Sequence, residues 1–335
     1  MSGDRAKAPT PAAPPASASP PVGSHAAAPP VGSHAAAPPP GVPAALWSRV
    51  AAAAHRLLML DYDGTLAPFQ IHTEVARPRP RLLNLVARIA EAGRESAADR
   101  GAAADRSGAA GGDRAEAPRC LVAIISGRTL PDLERLVGRH PIILIGEHGW
   151  DVHWPGRAAV QHPLPEAAAI GLRRAAAAAT DAGFARHLER KRCALILHTR
   201  GLAPSHAEAM ARACASPWAL EAASGDLRLD RIDGGIELRA AARDKGTAVR
   251  ELVAAAPRGA AAVCLGDDVS DEDAFREVAP YGFGLRVGPD ERPSHAAGRL
   301  PTHEDIEVFL AAWLAILRPR PRGREREAAS VRPRT

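Results

Sequence analysis

Four short apolar runs punctuate the chain: "RLLML" (56–60), "CLVAII" (120–125), "IILI" (142–145) and "AAVCL" (261–265). None alternates with polar residues, which is the pattern of strands covered on both faces, as in a parallel sheet. Helical spacing of apolar residues predicts helices at 81–92 (Leu82, Leu85, Val86, Ile89), 131–138, 246–256 and 303–317. The last opens on Thr302 and Asp305, a start resembling a capping box, and carries Ile306, Phe309, Leu310, Trp313 and Leu317 on one face. Strand and helix thus alternate, which predicts an α/β domain around a mainly parallel sheet.

Between 156 and 240 the pattern changes. Helical stretches at 166–182 and 205–215 mix with "CALILHT" (193–199) and "LRLDRIDGGIELR" (227–239), whose Asp-Gly-Gly reads as a hairpin turn. Sheet strands lie before and after this region, so it is expected to be an inserted α+β cap over a core built from 46–155 and 241–317. Three segments fall outside that scheme. Residues 1–45 are rich in proline and alanine and repeat "PPVGSHAAA" in tandem at 20–28 and 29–37, so a disordered leader is expected. Residues 95–119 read as a low-complexity surface insertion, and 318–335 as a basic, solvated tail.

Composition adds little until the charge is located. The net charge is +5, and the tail "RPRPRGREREAASVRPRT" holds seven arginines against two glutamates, which is the whole excess. The remainder is formally neutral, so no nucleic-acid partner is expected. Four cysteines lack metal-ligand spacing, and no run approaches the roughly 18–20 apolar residues of a transmembrane helix. A reduced, cytoplasmic setting without membrane attachment is the corresponding expectation.

Polar residues gather where the strands end. Asp61, Asp63 and Thr65 follow the first, Ser126-Gly127-Arg128 the second, Glu147 and His148 the third, and Asp267, Asp268 and Asp271 the fourth. In an open parallel sheet these ends face one crevice. Asp61 and Asp63, two apart in an extended segment, point the same way. Each like-charged pair at ~4 Å costs on the order of 4 kcal/mol at an effective dielectric of ~20. A hard divalent cation, most plausibly Mg2+, resolves that crowding. Lys245, one of three lysines in the chain, opens a helix and suits an anion such as phosphate.

"DYDGTL", "ISGR", "DKG" and "GDDVSDEDAF" together resemble the four motifs of the haloacid dehalogenase (HAD) superfamily of phosphotransferases. "LLMLDYDGTLAPF", "GEHG" and "LERKRCALILHTR" bring the resemblance closer to the trehalose-6-phosphate phosphatases. The proline usual before the lysine loop is missing from "ELRAAARDKG". The resemblance implies a HAD-like Rossmannoid core with a cap that selects the sugar. It implies Asp61 as nucleophile, Asp63 as general acid and base, and a phosphoryl grip by Ser126 and Lys245. Mg2+ would be held by Asp61, the Asp63 carbonyl and Asp267, with Asp268 and Asp271 in support. Thr65, Gly127, Arg128, Glu147, His148, Glu189, Lys191 and Glu237 are the implied substrate-side residues. His198 and Arg200 alternate on the same strand as weaker candidates. The implied activity is hydrolysis of trehalose 6-phosphate, in functional pairing with a trehalose-6-phosphate synthase. Sucrose 6-phosphate and mannosyl-3-phosphoglycerate are the rival substrates, and a non-catalytic binding partner in trehalose metabolism the rival class.

Overall fold

The computed structural model describes residues 37–68, 76–105, 117–232, 234–289 and 291–317. The first 36 residues, 106–116 and the tail from 318 lie outside the described residues. Helix α1 (Ala44–Ala52) leads into β1 (Arg56–Leu60), α2 (Pro80–Asp105), β2 (Cys120–Ile125), α3 (Leu130–Val137) and β3 (Ile143–Gly146). β4 (Asp151–His153) and β5 (Val160–Gln161) complete the first half of the core. After the region 166–240 come α6 (Lys245–Ala255), β10 (Ala261–Gly266), α7 (Asp271–Val278), β11 (Gly282–Val287), β12 (Gly298–Leu300) and α8 (His303–Leu317). They form one eight-stranded sheet in the order β12-β11-β10-β1-β2-β3-β4-β5, parallel except for the β3–β4 and β4–β5 pairs.

Both faces of the sheet are covered, as the unbroken apolar runs require. Along β1, Leu58 and Leu60 pack with α1, α2 and α8, whereas Leu57 and Met59 pack with α6 and α7. The α8 face supplies Ile306, Phe309, Leu310 and Trp313 to the first layer, and its Thr302–Asp305 box is reciprocal: each backbone N–H donates to the other side chain.

The inserted region folds as α4 (Glu166–Asp181), β6 (Leu188–Arg190), β7 (Ala194–His198), α5 (Pro204–Ala222), β8 (Leu227–Ile232) and β9 (Gly235–Ala240). Its strands form a separate antiparallel sheet, β6-β7-β9-β8, and Ile232 sits opposite Gly235 across the hairpin. Helices α4 and α5 bury Leu172, Ala175, Met210 and Trp218 against it. Where the family proline is missing, Ala240 donates its N–H to the Cys193 carbonyl at 2.9 Å, a bond that proline could not make.

Three boundaries differ from expectation. Of the leader expected over 1–45, only 37–45 fall among the described residues, and these join the core: Val42 is buried and α1 packs Trp47 against Phe309 and Trp313. The insertion expected at 95–119 begins as a continuation of α2 to Asp105. The core sheet extends past 155 through β5, so the cap proper starts at α4. No helix among the described residues is long and apolar enough to cross a membrane.

Candidate active site

The carboxyl ends of β1, β2, β3 and β10 meet beneath the cap sheet. Asp61 leaves β1 with its N–H held by the Leu265 carbonyl of β10 at 2.9 Å, and it is buried. Lys245 is placed by the cap of α6, where Asp244 Oδ1 accepts the Thr247 N–H at 2.7 Å. Its ammonium donates to Asp61 Oδ1 at 2.6 Å and to Asp271 Oδ1 at 2.7 Å. Burial opposes that charge, but the two carboxylates override it and raise the lysine above its ordinary value.

One lysine does not balance the acids around it. Oxygens of Asp61, Asp267 and Asp271 lie within 4.8 Å of one another. Burial first, then the neighbouring carboxylates, push Asp267 up to about 10; burial and Asp271, countered by Lys245, leave Asp61 at about 7. A site that drives carboxylates toward protonation is short of positive charge. All its donors are hard oxygens, which fits a divalent cation such as Mg2+. Thr65, expected on the substrate side, is fully buried and does not line the cleft; its hydroxyl donates to Asp267 Oδ1 at 3.0 Å and so orients that carboxylate. Asp268 lines the cleft, and its N–H donates to Asp271 Oδ2 at 3.1 Å.

Asp63 is gripped by the motif that follows β2. Arg128 Nε and Nη2 donate to its two oxygens, each at 2.7 Å, a bidentate pair backed by contact of the guanidinium with the Tyr62 ring. Ser126 is buried beside it and accepts the Arg128 N–H at 3.2 Å. Gly127 leaves room for the His148 ring: a Cβ there would lie 2.6 Å from its Nε2.

The cap closes the cleft from above. Lys191 Nζ donates to the Gly127 carbonyl at 2.9 Å and lies 3.5 Å from Glu189 Oε1. Glu189 Oε2 meets His198 Nε2 at 2.7 Å. Glu237 on β9 reaches down to His148 Nε2 at 3.2 Å. Asp61, Asp63, Ser126, Gly127, Arg128, His148, Glu189, Lys191, Glu237, Lys245 and Asp268 all line this one cleft. Glu147, expected at the substrate, does not; its Oε2 accepts the Cys193 N–H at 2.7 Å. Conversely Ile196, His198 and Arg200, spaced by two along one segment, present one face to the cleft. Their alternation was the only sequence signal, and it acquires meaning because β7 lies over the core.

Glu237 supplies a direct test of the cap–core contact. Burial would raise its carboxyl, but His148, Lys191 and Arg239 outweigh burial and bring it down from 4.5 to about 2. A depressed carboxylate stabilises the fold above its unfolded value and loses that contribution as pH falls. Glu237→Gln is therefore expected to cost about 3 kcal/mol at neutral pH, and roughly half that near pH 3. Urea denaturation across that range checks it; a gap independent of pH would show that the carboxylate is not held charged by these partners.

Solved trehalose-6-phosphate phosphatases share this fold of a core with an inserted cap. The trehalose-phosphatase profile matches residues 113–303, and the chain belongs to that family. The match takes in Ser126, Lys245 and the Asp267 motif; Asp61 and Asp63 precede it. A probable trehalose-phosphate phosphatase from Sinorhizobium fredii is 32% identical over 200 residues, 58% of this chain and 73% of the relative. A bifunctional trehalose-6-phosphate synthase/phosphatase from Thermoproteus tenax is 29% identical over 270 residues, 79% of this chain but 33% of the relative's length. The C-terminal domain of a trehalose-6-phosphate phosphatase from C. albicans has the same fold, with a TM-score of 0.66 at 22% identity, covering 84% of this chain and 99% of that one.

Proposed function

We propose that the protein is a Mg2+-dependent phosphatase that hydrolyses trehalose 6-phosphate to trehalose and inorganic phosphate through an aspartyl-phosphate on Asp61. The observation that carries this reading is the single cleft in which Asp61 and Lys245 face Glu189, Lys191 and Glu237 of the cap. Carboxylates and a lysine on the core side and polar cap residues on the other share this one cleft, as a phosphate joined to a sugar would require.

Asp61 carries the nucleophilic oxygen. Its attack on phosphorus forms the acyl-phosphate bond and breaks the bond to the sugar oxygen, which takes a proton from Asp63. Asp63 then removes a proton from water, whose attack on phosphorus releases phosphate and restores Asp61. Arg128 engages both Asp63 oxygens in this structure, so one of these hydrogen bonds must open to free the oxygen that carries the proton. Lys245 and Ser126 take the phosphoryl oxygens, with Lys245 also keeping Asp61 and Asp271 apart from direct repulsion. Asp61, the Asp63 carbonyl, Asp267 and Asp271 would hold Mg2+, which when bound neutralises phosphoryl charge as the anion approaches. Glu189, Lys191 and Glu237 bind the sugar hydroxyls, with His198 and Arg200 on the same cap face.

The T. tenax relative is named for both a synthase and a phosphatase, and this chain spans a third of it. We read the chain as a phosphatase acting on the product of a trehalose-6-phosphate synthase. Four buried, unbridged cysteines support a reducing, cytoplasmic setting.

Phosphate release with Mg2+ from trehalose 6-phosphate, sucrose 6-phosphate, glucose 6-phosphate and mannosyl-3-phosphoglycerate tests the whole reading. Trehalose 6-phosphate is expected to be preferred by about a hundredfold or more, well inside the roughly 10,000-fold that a site hydrogen-bonding substrate hydroxyls can reach, with EDTA abolishing turnover. Preference for another of the four would discard the sugar assignment and keep the chemistry. Silence on all four would favour a binding protein.

A further inference from the structure

Glu147 and His148 are the only non-glycine residues with positive φ among the described residues, at 46° and 58°, and both are buried. Two successive left-handed residues cost on the order of 1–3 kcal/mol each, so the surrounding contacts must hold them there. The backbone does so on one side: Glu147 N–H donates to the Arg128 carbonyl at 2.8 Å, and His148 N–H to the Ser126 carbonyl at 2.9 Å. This corner is therefore tied directly to the loop that grips the phosphoryl group. Its side chains bond to the cap: Glu147 Oε2 accepts the Cys193 N–H, and His148 Nε2 meets Glu237 beside Gly127.

The cap answers with three consecutive residues. Between β6 and β7 the chain turns at Lys191, Arg192 and Cys193, and each reaches the core. Lys191 Nζ donates to the Gly127 carbonyl at 2.9 Å. Arg192 Nη2 donates to Asp151 Oδ1 at 2.5 Å and its Nη1 to the His162 carbonyl at 3.0 Å. The Cys193 N–H donates to Glu147 Oε2 at 2.7 Å. Glu147 and Asp151, four residues apart and both buried, thus hold the turn that carries Lys191 and follows Glu189.

We propose that Glu147 is a positioning residue, assisted by Asp151: its buried carboxylate catches the Cys193 amide and fixes the cap turn so that Glu189 and Lys191 stand over the phosphate-binding loop. The inference rests on the sugar-phosphatase reading for its kinetic consequence, but not for its structural one. The geometry places Glu147 out of reach of substrate, since it does not line the cleft, yet makes the register of two cleft residues depend on it. A carboxylate serves better here than a neutral acceptor because a charge-assisted hydrogen bond to a backbone amide is stronger and shorter. The left-handed corner aims that oxygen at the cap while its backbone stays bound to the phosphate loop.

The test compares Glu147→Ala, Glu147→Gln and Asp151→Ala in the full chain. Amide hydrogen exchange at 191–193, without substrate, is expected to accelerate by about tenfold or more in Glu147→Ala, the size of one hydrogen bond to a charged group. Glu147→Gln, which keeps an acceptor oxygen, should recover most of the protection. The ratio of kcat/KM for trehalose 6-phosphate to that for p-nitrophenyl phosphate should fall by about tenfold in Glu147→Ala and recover in Glu147→Gln. Asp151→Ala should loosen the same turn, which preserves the test if Glu147→Ala does not fold. Unchanged exchange at 191–193 in folded variants, or an unchanged substrate ratio, would overturn the proposal. If the wild-type protein releases phosphate from no sugar phosphate, the functional reading fails while the exchange measurement still decides the latch.

Discussion

Asp61→Asn is expected to reduce phosphate release by roughly 10,000-fold or more, the loss seen when a covalent nucleophile is removed. The change is conservative in every other respect. Asparagine keeps an oxygen at the position where Asp61 Oδ1 accepts the Lys245 ammonium at 2.6 Å, and the backbone bond to Leu265 is untouched. It also removes one negative charge from a cluster whose oxygens lie within 4.8 Å of one another. Folding stability should therefore stay level or rise, and substrate binding should persist. Single-turnover assays with thermal denaturation on the same preparation check both halves. Retention of more than about a hundredth of wild-type turnover would remove Asp61 as nucleophile.

Lys245→Met should damage both activity and stability. The ammonium is buried between Asp61 and Asp271, also buried, and its removal leaves two carboxylates without their cation. Breaking such a pair costs about 3–5 kcal/mol. Loss of a positioned charge at the phosphoryl group costs turnover roughly 100- to 1,000-fold. A metal cation would neutralise the same carboxylates, so the destabilisation should be larger in EDTA than in Mg2+. Denaturation in the two buffers measures it. An equal loss in both would separate Lys245 from the metal cluster.

The pattern of apolar positions carried the architecture further than it carried the edges. β1 and β2 occupy the predicted positions, and β3 and β10 differ by one residue, because continuous apolar runs are what a doubly covered strand needs. β11 escaped notice because "GFGLRV" carries two glycines, which depress strand propensity. Gly284 is there because the Phe275 ring of α7 lies against the strand, with a Cβ meeting its Cδ1 at 2.4 Å. α1 lies in alanine- and proline-rich sequence that gives no helical signal, and its buried Trp47 meets Phe309 and Trp313 of α8, far along the chain.

The site divides in the same way. Asp61, Asp63, Ser126 and Asp267 could be grouped from sequence because each follows a core strand and all such ends face one crevice, and Lys245 because it opens a helix of the core. The functions of Thr65, Arg128 and Glu147 were not, because each depends on a partner far along the chain: Asp267, Asp63 and the Cys193 amide.

What the sequence determined by itself is the strand-and-helix order, the two-part core around an insert, and the chemistry collected at the strand ends. Periodicity and residue type are local properties, and they survive without knowledge of neighbours. Only the tertiary structure decided which carboxylates share the Lys245 ammonium, which arginine holds Asp63, and how three residues of a cap turn seat on the core. Those are distances between segments remote in sequence, set by packing of two sheets that no local pattern encodes.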